Sequence, residues 1–99
     1  GARHARHLFP VWVDQRMRDD FILALNSAGI GCTVNYRCVP TLTYYRDTYG
    51  YGPDDFPVSE DWGQGTLSLP LYPTLEKKAQ ARVIDCVRRE LDRLTRKAA

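Results

Sequence analysis

The chain has 99 residues, of which 43% are hydrophobic and 26% charged. This is the composition of one small globular domain rather than of a disordered tail, a collagen-like repeat or a long coiled coil. Fourteen lysines and arginines oppose twelve aspartates and glutamates, an excess too small to favour nucleic acid as a partner. No apolar run approaches the roughly 20 residues that cross a bilayer, and no charged segment followed by an apolar one opens the sequence, so we expect neither a membrane span nor a secretory signal.

The N-terminal third predicts a strand, a helix and a second strand. Apolar side chains alternate over 7–13 on two faces, as in a strand that is covered on both sides, and Pro10 requires that this strand lie at a sheet edge or be bulged there. A helical repeat follows over residues 16–28. We place the helix that packs on the sheet over 18–28, and Gly29 ends it. The β-branched residues of 31–36 predict the second strand of a short unit resembling βαβ.

The remaining two thirds predict short elements and a long final helix. Residues 37–56 are mostly irregular, with one short helix over 43–48. Pro57 begins a helix that runs to about Gln64, and we expect the glycines at 63 and 65 to weaken and end it. A third strand over 66–69 stops at Pro70. Thr74 is a good N-cap for the last helix, which runs to about Arg96. Its predicted buried stripe consists of Val83, Ile84, Val87, Leu91 and Leu94.

These elements predict one two-layer α/β (α+β) domain over residues 1–99. A small sheet of three strands carries the helix over 18–28 and the terminal helix. Residue types with reactive side chains are few. The three cysteines have no CxxC spacing, which favours reduced thiols in a cytoplasmic protein, with Cys86 in the core. His4 and His7 stand alone before the first strand, so we expect a surface role and no metal site.

The segment 35–46 is the best candidate for a binding site, because it directly follows a predicted strand. It combines the amide of Asn35 with two arginines, Arg37 and Arg46, and with the rings of Tyr44 and Tyr45. Such a mixture suits a phosphorylated ligand or a sugar. The alternative is an aromatic mini-core over the sheet edge.

The order of motifs resembles the last domain of the DegT/StrS-type sugar aminotransferases. The resemblance spans roughly residues 7–87. It begins with the His-Leu-Phe that opens the first strand, and it is most specific in the Ser-Leu-Pro-Leu-Tyr-Pro run over 68–73. Between these lie Arg18-Asp19-Asp20 at the first helix, Ala28-Gly29-Ile30-Gly31, Val34-Asn35-Tyr36, Tyr44-Tyr45-Arg46 and Asp55-Phe56-Pro57-Val58-Ser59-Glu60.

The resemblance implies a fold and an activity. The chain is then like the small C-terminal domain of a fold-type I aminotransferase that uses pyridoxal phosphate. Such enzymes move an amino group, usually from glutamate, onto a keto carbon of a nucleotide-linked sugar for cell-surface polysaccharide biosynthesis. The large domain ahead of this segment carries the cofactor lysine, and the family works as homodimers with shared active sites. The three lysines here, Lys77, Lys78 and Lys97, lie in charged stretches, so we expect no cofactor binding and no catalytic residue in this chain alone.

The resemblance also places substrate contacts in the loop after the second predicted strand. They fall on Asn35, Tyr36, Arg37, Tyr44 and Tyr45. The family commonly has histidine at the position of Asn35 and near Pro40, and this chain has neither. A competing prediction is a free-standing interaction module that binds a partner through its edge strand and the tyrosine-rich loop.

Overall fold

Two strands and four helices follow one another in the computed structural model, which describes residues 1–98. They are β1 (Phe9–Trp12), α1 (Gln15–Ser27), α2 (Thr43–Tyr49), α3 (Pro57–Gly65), β2 (Thr66–Leu69) and α4 (Lys77–Ala98), with a 3-10 turn over Val39–Thr41 before α2. The architecture is α+β, and the helices predicted over 16–28, 43–48 and 57–64 are confirmed. Within residues 1–98, none of the helices is both long and apolar enough to span a membrane.

The sheet has two antiparallel strands, and Pro10 lies opposite Ser68. The Ser68 N–H donates to the Thr33 carbonyl at 2.8 Å, on the side of β2 away from β1. The Pro10–Ser68 pair is therefore one of the non-hydrogen-bonded pairs of the antiparallel ladder. The missing N–H of proline removes no ladder bond there, which explains how Pro10 is accommodated in β1.

The third strand that we predicted over 31–36 does not form. This segment contributes a single bridge, between Thr33 and Ser68. Beyond Thr33 the contacts of this segment are of another kind: the Thr66 hydroxyl at the start of β2 donates to the Asn35 carbonyl at 3.5 Å, and Cys38 is buried against Gly63 of α3. The β-branched composition predicted a full strand, but in residues 1–98 the segment pairs with β2 at Thr33 alone, and Cys38 packs against α3.

The core lies where α1 packs on α4, α3 and β2. Phe21, Leu25 and Leu67 are fully buried, and Cys86 is buried beside them, as predicted. The left-handed backbone of Gly29, with φ +81°, confirms the predicted end of the first helix. The predicted stripe of α4 is wrong at one position, since Ile84 is 43% exposed.

The last helix begins later than predicted. Its first residue is Lys77, because Pro73 and Thr74 lie in a turn that the Leu75 N–H closes on the Tyr72 carbonyl at 3.1 Å. The prediction that β1 is covered on both faces is also wrong for this chain: Phe9 and Trp12 are exposed at the surface.

The C-terminal end of α3 is fixed by hydrogen bonds from other elements. Helix ends leave carbonyl groups without a partner inside the helix. Here the Gly63 carbonyl accepts from Arg18 Nη1 at 3.0 Å, and the Gly65 carbonyl accepts from the Val13 N–H at 3.0 Å. The Asp61 carbonyl accepts from Trp12 Nε1 at 3.2 Å. These bonds hold α3 against β1 and α1, and they thereby set the position of the surface that faces residues 35–38.

The surface of the domain is large for its mass. The solvent-accessible area is 7649 Å², whereas a folded monomer of this mass exposes about 5,700 Å². The radius of gyration is 15.9 Å, against about 13 Å for a compact domain of this length. Large apolar side chains of α2, the following loop and α3 remain exposed. They include Tyr44, Tyr45, Tyr49, Phe56, Val58 and Trp62.

Candidate functional site

Asn35, Tyr36 and Arg37 line a surface cleft of about 320 Å³, which we call the ring cleft. Its opposite wall comes from Ser59 and Trp62 of α3. Residues 59, 62 and 63 fall on one face of the helix, at spacings of three and four. Trp62 is more than half exposed and therefore presents a flat apolar surface to the cleft.

Contacts on both sides hold the segment 35–38 in place. The Thr33 hydroxyl donates to Asn35 Oδ1 at 2.9 Å. The Thr41 hydroxyl donates to the Cys38 carbonyl at 2.7 Å. Cys38 Sγ lies 3.1 Å from Ser59 Oγ on α3. The exposed side chains of Tyr36 and Arg37 thus extend from a backbone that is anchored before and after them.

A glycine on α3 permits this close approach. A Cβ atom built on Gly63 would lie only 2.6 Å from the Cys38 nitrogen and 3.1 Å from its Cβ. Real Cβ atoms are not found so close to backbone nitrogen, so any side chain at this position would displace residues 37–39 from the helix. Gly63 therefore allows Cys38 to lie against α3 in the lining of the ring cleft.

A second cavity, of about 220 Å³, lies beside the ring cleft, and we call it the arginine cavity. The two share Arg37, Cys38 and Gly63 as a common wall. The further lining residues are Arg18 from α1, Thr41, and Glu60 and Gln64 from α3. The Gln64 amide donates to Glu60 Oε1 at 2.6 Å. The lining is polar on nearly every side.

Tyr44 and Tyr45, which were predicted with Asn35–Arg37, lie in a different cluster. Their rings meet edge to face at 5.3 Å, and Tyr45 stacks on Tyr49 at 6.3 Å. The series continues through Tyr51, 5.5 Å from Tyr49, to Phe56, 5.0 Å from Tyr51. We call this series, from Tyr44 to Phe56, the tyrosine ladder. Centroid distances of 5–6 Å are those of favourable aromatic pairs, so the ladder stabilises the loop after α2 while leaving Tyr44 and Tyr49 mostly exposed.

The sequence analysis missed Trp62 and Ser59 as wall residues, and Arg18 as a lining residue. Trp62 lies 25 positions after Arg37 in the chain, on a different predicted element. The available signal was the small-x-x-aromatic-Gly pattern over 59–63, which places a serine, a tryptophan and a glycine on one helix face. The sequence placed Arg18 only at the start of the first helix.

The carboxylates of 54–61 do not pair as an acid and a base. The Gly52 N–H donates to Asp55 Oδ2 at 2.7 Å, so this side chain closes the loop before α3. Glu60 is bonded to Gln64. Among the described residues, no group of three or more histidine, cysteine, aspartate or glutamate side chains is placed to hold a metal ion.

Thiol chemistry is restrained by burial. All three cysteines are free and buried, and desolvation raises the pKa of the Cys32 thiol. A buried thiol with a raised pKa forms little of the nucleophilic thiolate near neutral pH.

Comparison with known proteins adds the decisive observation. The model of the DegT/DnrJ/EryC1/StrS aminotransferase family matches residues 1–88. The chain belongs to this family. The resemblance stated from the sequence motifs is therefore confirmed.

Two curated relatives are considerably longer than this chain. The chain is 37% identical over 92 residues to the spore coat polysaccharide biosynthesis protein SpsC of Bacillus subtilis (strain 168), covering 88% of this chain and 24% of that protein. It is 32% identical over 92 residues to the uncharacterized protein MJ1066 of Methanocaldococcus jannaschii, with 89% and 24% covered. The chain thus spans about a quarter of the length of these relatives.

The DegT/StrS aminotransferases are generally enzymes of pyridoxal phosphate, and the residues of this chain do not fit that cofactor. The cofactor needs a lysine amine whose pKa is lowered by a desolvated pocket. Lys77, Lys78 and Lys97 are the chain's lysines, and all three are exposed on α4. The arginine cavity and the ring cleft contain no amine nucleophile.

Proposed function

We propose that the chain is the C-terminal small domain of a pyridoxal-phosphate aminotransferase acting on a nucleotide-linked keto sugar, with an amino acid such as glutamate as the amino donor. The family match over residues 1–88 carries this proposal. The printed name of the Bacillus subtilis relative, a polysaccharide biosynthesis protein, supports a sugar as the acceptor.

In this proposal the large, cofactor-binding domain belongs to the same polypeptide, and a second subunit completes a homodimer. The excess of accessible surface, 7649 Å² against about 5,700 Å², supports a domain that is covered by neighbours in the working protein. The tyrosine ladder exposes several aromatic side chains next to one another, so we assign it to the contact with the large domain or the second subunit.

Within the small domain we assign the substrate contacts to Asn35, Tyr36 and Arg37, with Tyr44 and Tyr45 reaching the substrate only if the missing neighbours bring them to it. Asn35 stands at the position where the family commonly has histidine. Its amide donates and accepts hydrogen bonds but does not titrate near neutral pH. We therefore assign it to binding and not to proton transfer.

The test uses the natural full-length protein with pyridoxal phosphate, glutamate and a nucleotide-linked keto sugar. We expect 2-oxoglutarate to form in proportion to aminated sugar, as measured by mass spectrometry. The 99-residue chain alone should form no cofactor adduct. An adduct that borohydride traps on one of its three lysines in a one-to-one ratio would contradict the proposal.

A second candidate function is a free-standing module that binds a partner protein. The exposed edge of β1 and the exposed tyrosine ladder favour it, because unpaired strand edges and aromatic patches are common recognition surfaces. The two candidates differ in gene structure. A coding sequence that encodes a large domain with a buried lysine ahead of this chain supports the enzyme, and a start codon close to Gly1 supports the module.

A further inference from the structure

The arginine cavity and the ring cleft differ in chemistry although they share a wall. The arginine cavity offers two guanidinium groups, a hydroxyl and an amide. The ring cleft offers the rings of Tyr36 and Trp62 with the edge of Pro10. Arg37 lies at the boundary of the two. A ligand that occupies both must therefore combine a polar or charged group with a flatter, less polar part.

The charges of the arginine cavity are not balanced within it. In residues 1–98, no carboxylate lies within ion-pairing distance of Arg37, and its side chain is exposed. Arg18 is only 12% exposed, and its one carboxylate partner within residues 1–98, Asp19, is 83% exposed and lies outside the cavity lining. Glu60 is the single acidic residue of the lining. Two positive charges thus face one negative charge.

The fixed geometry of Arg18 makes its charge a permanent feature of the cavity. Its Nη1 donates to the carbonyls of Gly63 and Thr66, at 3.0 and 3.2 Å, and its Nε donates to Asp19 at 2.7 Å. A guanidinium held in this way cannot turn out to solvent. Arg37, by contrast, makes no side-chain hydrogen bond or ion pair with residues 1–98. Its guanidinium can therefore meet a ligand with two acceptor oxygens, the arrangement that suits this group.

We propose that the arginine cavity is an anion site for a phosphate group, with Arg37 as its binding side chain and Arg18 as a fixed positive charge behind it. The proposal rests on the proposed function for the source of the phosphate, which is the diphosphate of a nucleotide-linked sugar. The adjoining ring of that ligand then lies in the ring cleft against Tyr36 and Trp62. Glu60 opposes anion binding and limits its strength.

The test measures binding of inorganic pyrophosphate to the cofactor-loaded full-length protein by isothermal titration calorimetry. Arg37→Gln should weaken binding about tenfold, the loss expected for a charge-assisted hydrogen bond. Glu60→Gln should tighten binding several-fold, because it removes the opposing charge and keeps an acceptor for Gln64. Arg88→Gln is the matched control, since Arg88 is an exposed arginine of α4 outside both cavities; it should leave binding unchanged.

The two substitutions should change pyrophosphate affinity in opposite directions, weaker in Arg37→Gln and tighter in Glu60→Gln. This distinguishes a direct anion site from a general structural effect. Equal affinity in the Arg37→Gln and Arg88→Gln variants would overturn the proposal, as would weaker binding in Glu60→Gln. Glutarate is the second probe: tighter binding of this dicarboxylate than of pyrophosphate, lost in Arg37→Gln, would assign the site to a carboxylate and overturn the phosphate assignment.

Failure of this proposal and failure of the proposed function give different results. If amino transfer occurs and Arg37→Gln binds pyrophosphate normally, the phosphate lies elsewhere and the aminotransferase assignment stands. If no amino transfer occurs but pyrophosphate binding depends on Arg37 and Glu60 with the expected signs, the anion site stands and the source of its phosphate must be another ligand.

Discussion

Arg18 Nη1 donates a hydrogen bond to the Gly63 carbonyl at 3.0 Å, and this contact joins α1 to the C-terminal end of α3 across 45 positions of sequence. The same nitrogen reaches the Thr66 carbonyl, where β2 begins. A positive charge at a helix C-terminus also interacts favourably with the helix dipole. The position of α3, and with it the wall that Ser59 and Trp62 form, therefore depends on one arginine of α1.

Arg18→Met should lower the free energy of unfolding by about 2 kcal/mol, because it leaves two part-buried carbonyls without their charged donor while preserving an apolar stem. Urea denaturation measures the change. Arg96→Gln is the control, since Arg96 is 79% exposed and pairs with Asp92 one turn away; such surface pairs contribute about 0.3–0.5 kcal/mol. Equal losses in the two variants would show that the contact to α3 does not stabilise the fold.

Gly63→Ala should destabilise the protein although it improves helix propensity. Propensity alone predicts a gain of about 1 kcal/mol for alanine in a helix. The new Cβ would lie 2.6 Å from the Cys38 nitrogen, however, and overpacking of this kind destabilises by about 1–3 kcal/mol. Gly65→Ala should behave alike, since its Cβ would overlap Trp12 Nε1 and lie 2.5 Å from the Val13 carbonyl oxygen.

The control for both glycine substitutions is Gly31→Ala. Nothing lies within 4 Å of a Cβ at this position, and alanine reduces the entropy of the unfolded chain, so stability should stay constant or rise by about 0.5 kcal/mol. Thermal unfolding followed by circular dichroism orders the three variants. A gain in Gly63→Ala would mean that α3 and residues 37–39 separate readily.

The elements that were predicted correctly are those specified by residues close together in the sequence. The repeat of Phe21 and Leu25 located α1, and the proline at 57 located the start of α3. The strand predicted over 31–36 does not form, because pairing with β2 depends on where distant segments lie after folding, and no local pattern reveals that. The same holds for the cavities: Asn35, Tyr36 and Arg37 are adjacent in sequence and were found together, whereas Trp62 and Arg18 join them only through folding.

Gly63 shows most clearly what prediction from the sequence cannot reach. From propensity it is a helix breaker, and the prediction was that it weakens and ends the helix. In the structure α3 continues to Gly65, and the absence of a side chain at 63 serves the contact with Cys38. A residue that is unfavourable for its own element can thus be required by a neighbouring segment, and no periodicity in the chain expresses that requirement.

Ser68→Ala should leave the free energy of unfolding unchanged or raise it by up to about 1 kcal/mol. Ser68 is buried, and its hydroxyl has no hydrogen-bond partner within residues 1–98, so the substitution removes a desolvated polar group without breaking a bond. Thr41→Val is the contrasting variant, because the Thr41 hydroxyl donates to the Cys38 carbonyl at 2.7 Å. We expect Thr41→Val to lower the free energy of unfolding by about 1 kcal/mol. Chemical denaturation of both variants in one buffer makes the comparison; a large loss in Ser68→Ala would reveal a partner for the hydroxyl.

The N-cap residue of α1, Asp14, should make the free energy of unfolding depend on pH in the acidic range. Asp14 Oδ1 accepts from the Arg16 N–H at 2.8 Å, and the Arg16 guanidinium donates to both carboxylate oxygens. These bonds lower the pKa of Asp14 from 3.8 to about 2. A lowered folded-state pKa means that the stabilisation is fully present above pH 4 and is lost as the pH falls towards 2. The stability difference between the native protein and Asp14→Ala should therefore be largest at neutral pH and shrink below pH 4. A difference that stays constant down to pH 2 would contradict the assignment.

The tyrosine ladder should be the region that changes most between the isolated chain and the natural full-length protein. Its rings stabilise one another, but Tyr44 is 66% exposed and α2 has no residue in the core. Helices with few buried contacts open locally, so their amides exchange fast. Under the proposed function the large domain or the second subunit covers the ladder, so hydrogen exchange over residues 43–56, followed by mass spectrometry, should be slower in the full-length protein. The amides around Phe21 and Leu25 are the internal control, because these side chains are fully buried in the chain itself and should be protected in both samples. Equal exchange over 43–56 in the two samples, with that control intact, would show that the ladder faces solvent in the working protein, and it would favour a surface for a separate partner over a contact between domains.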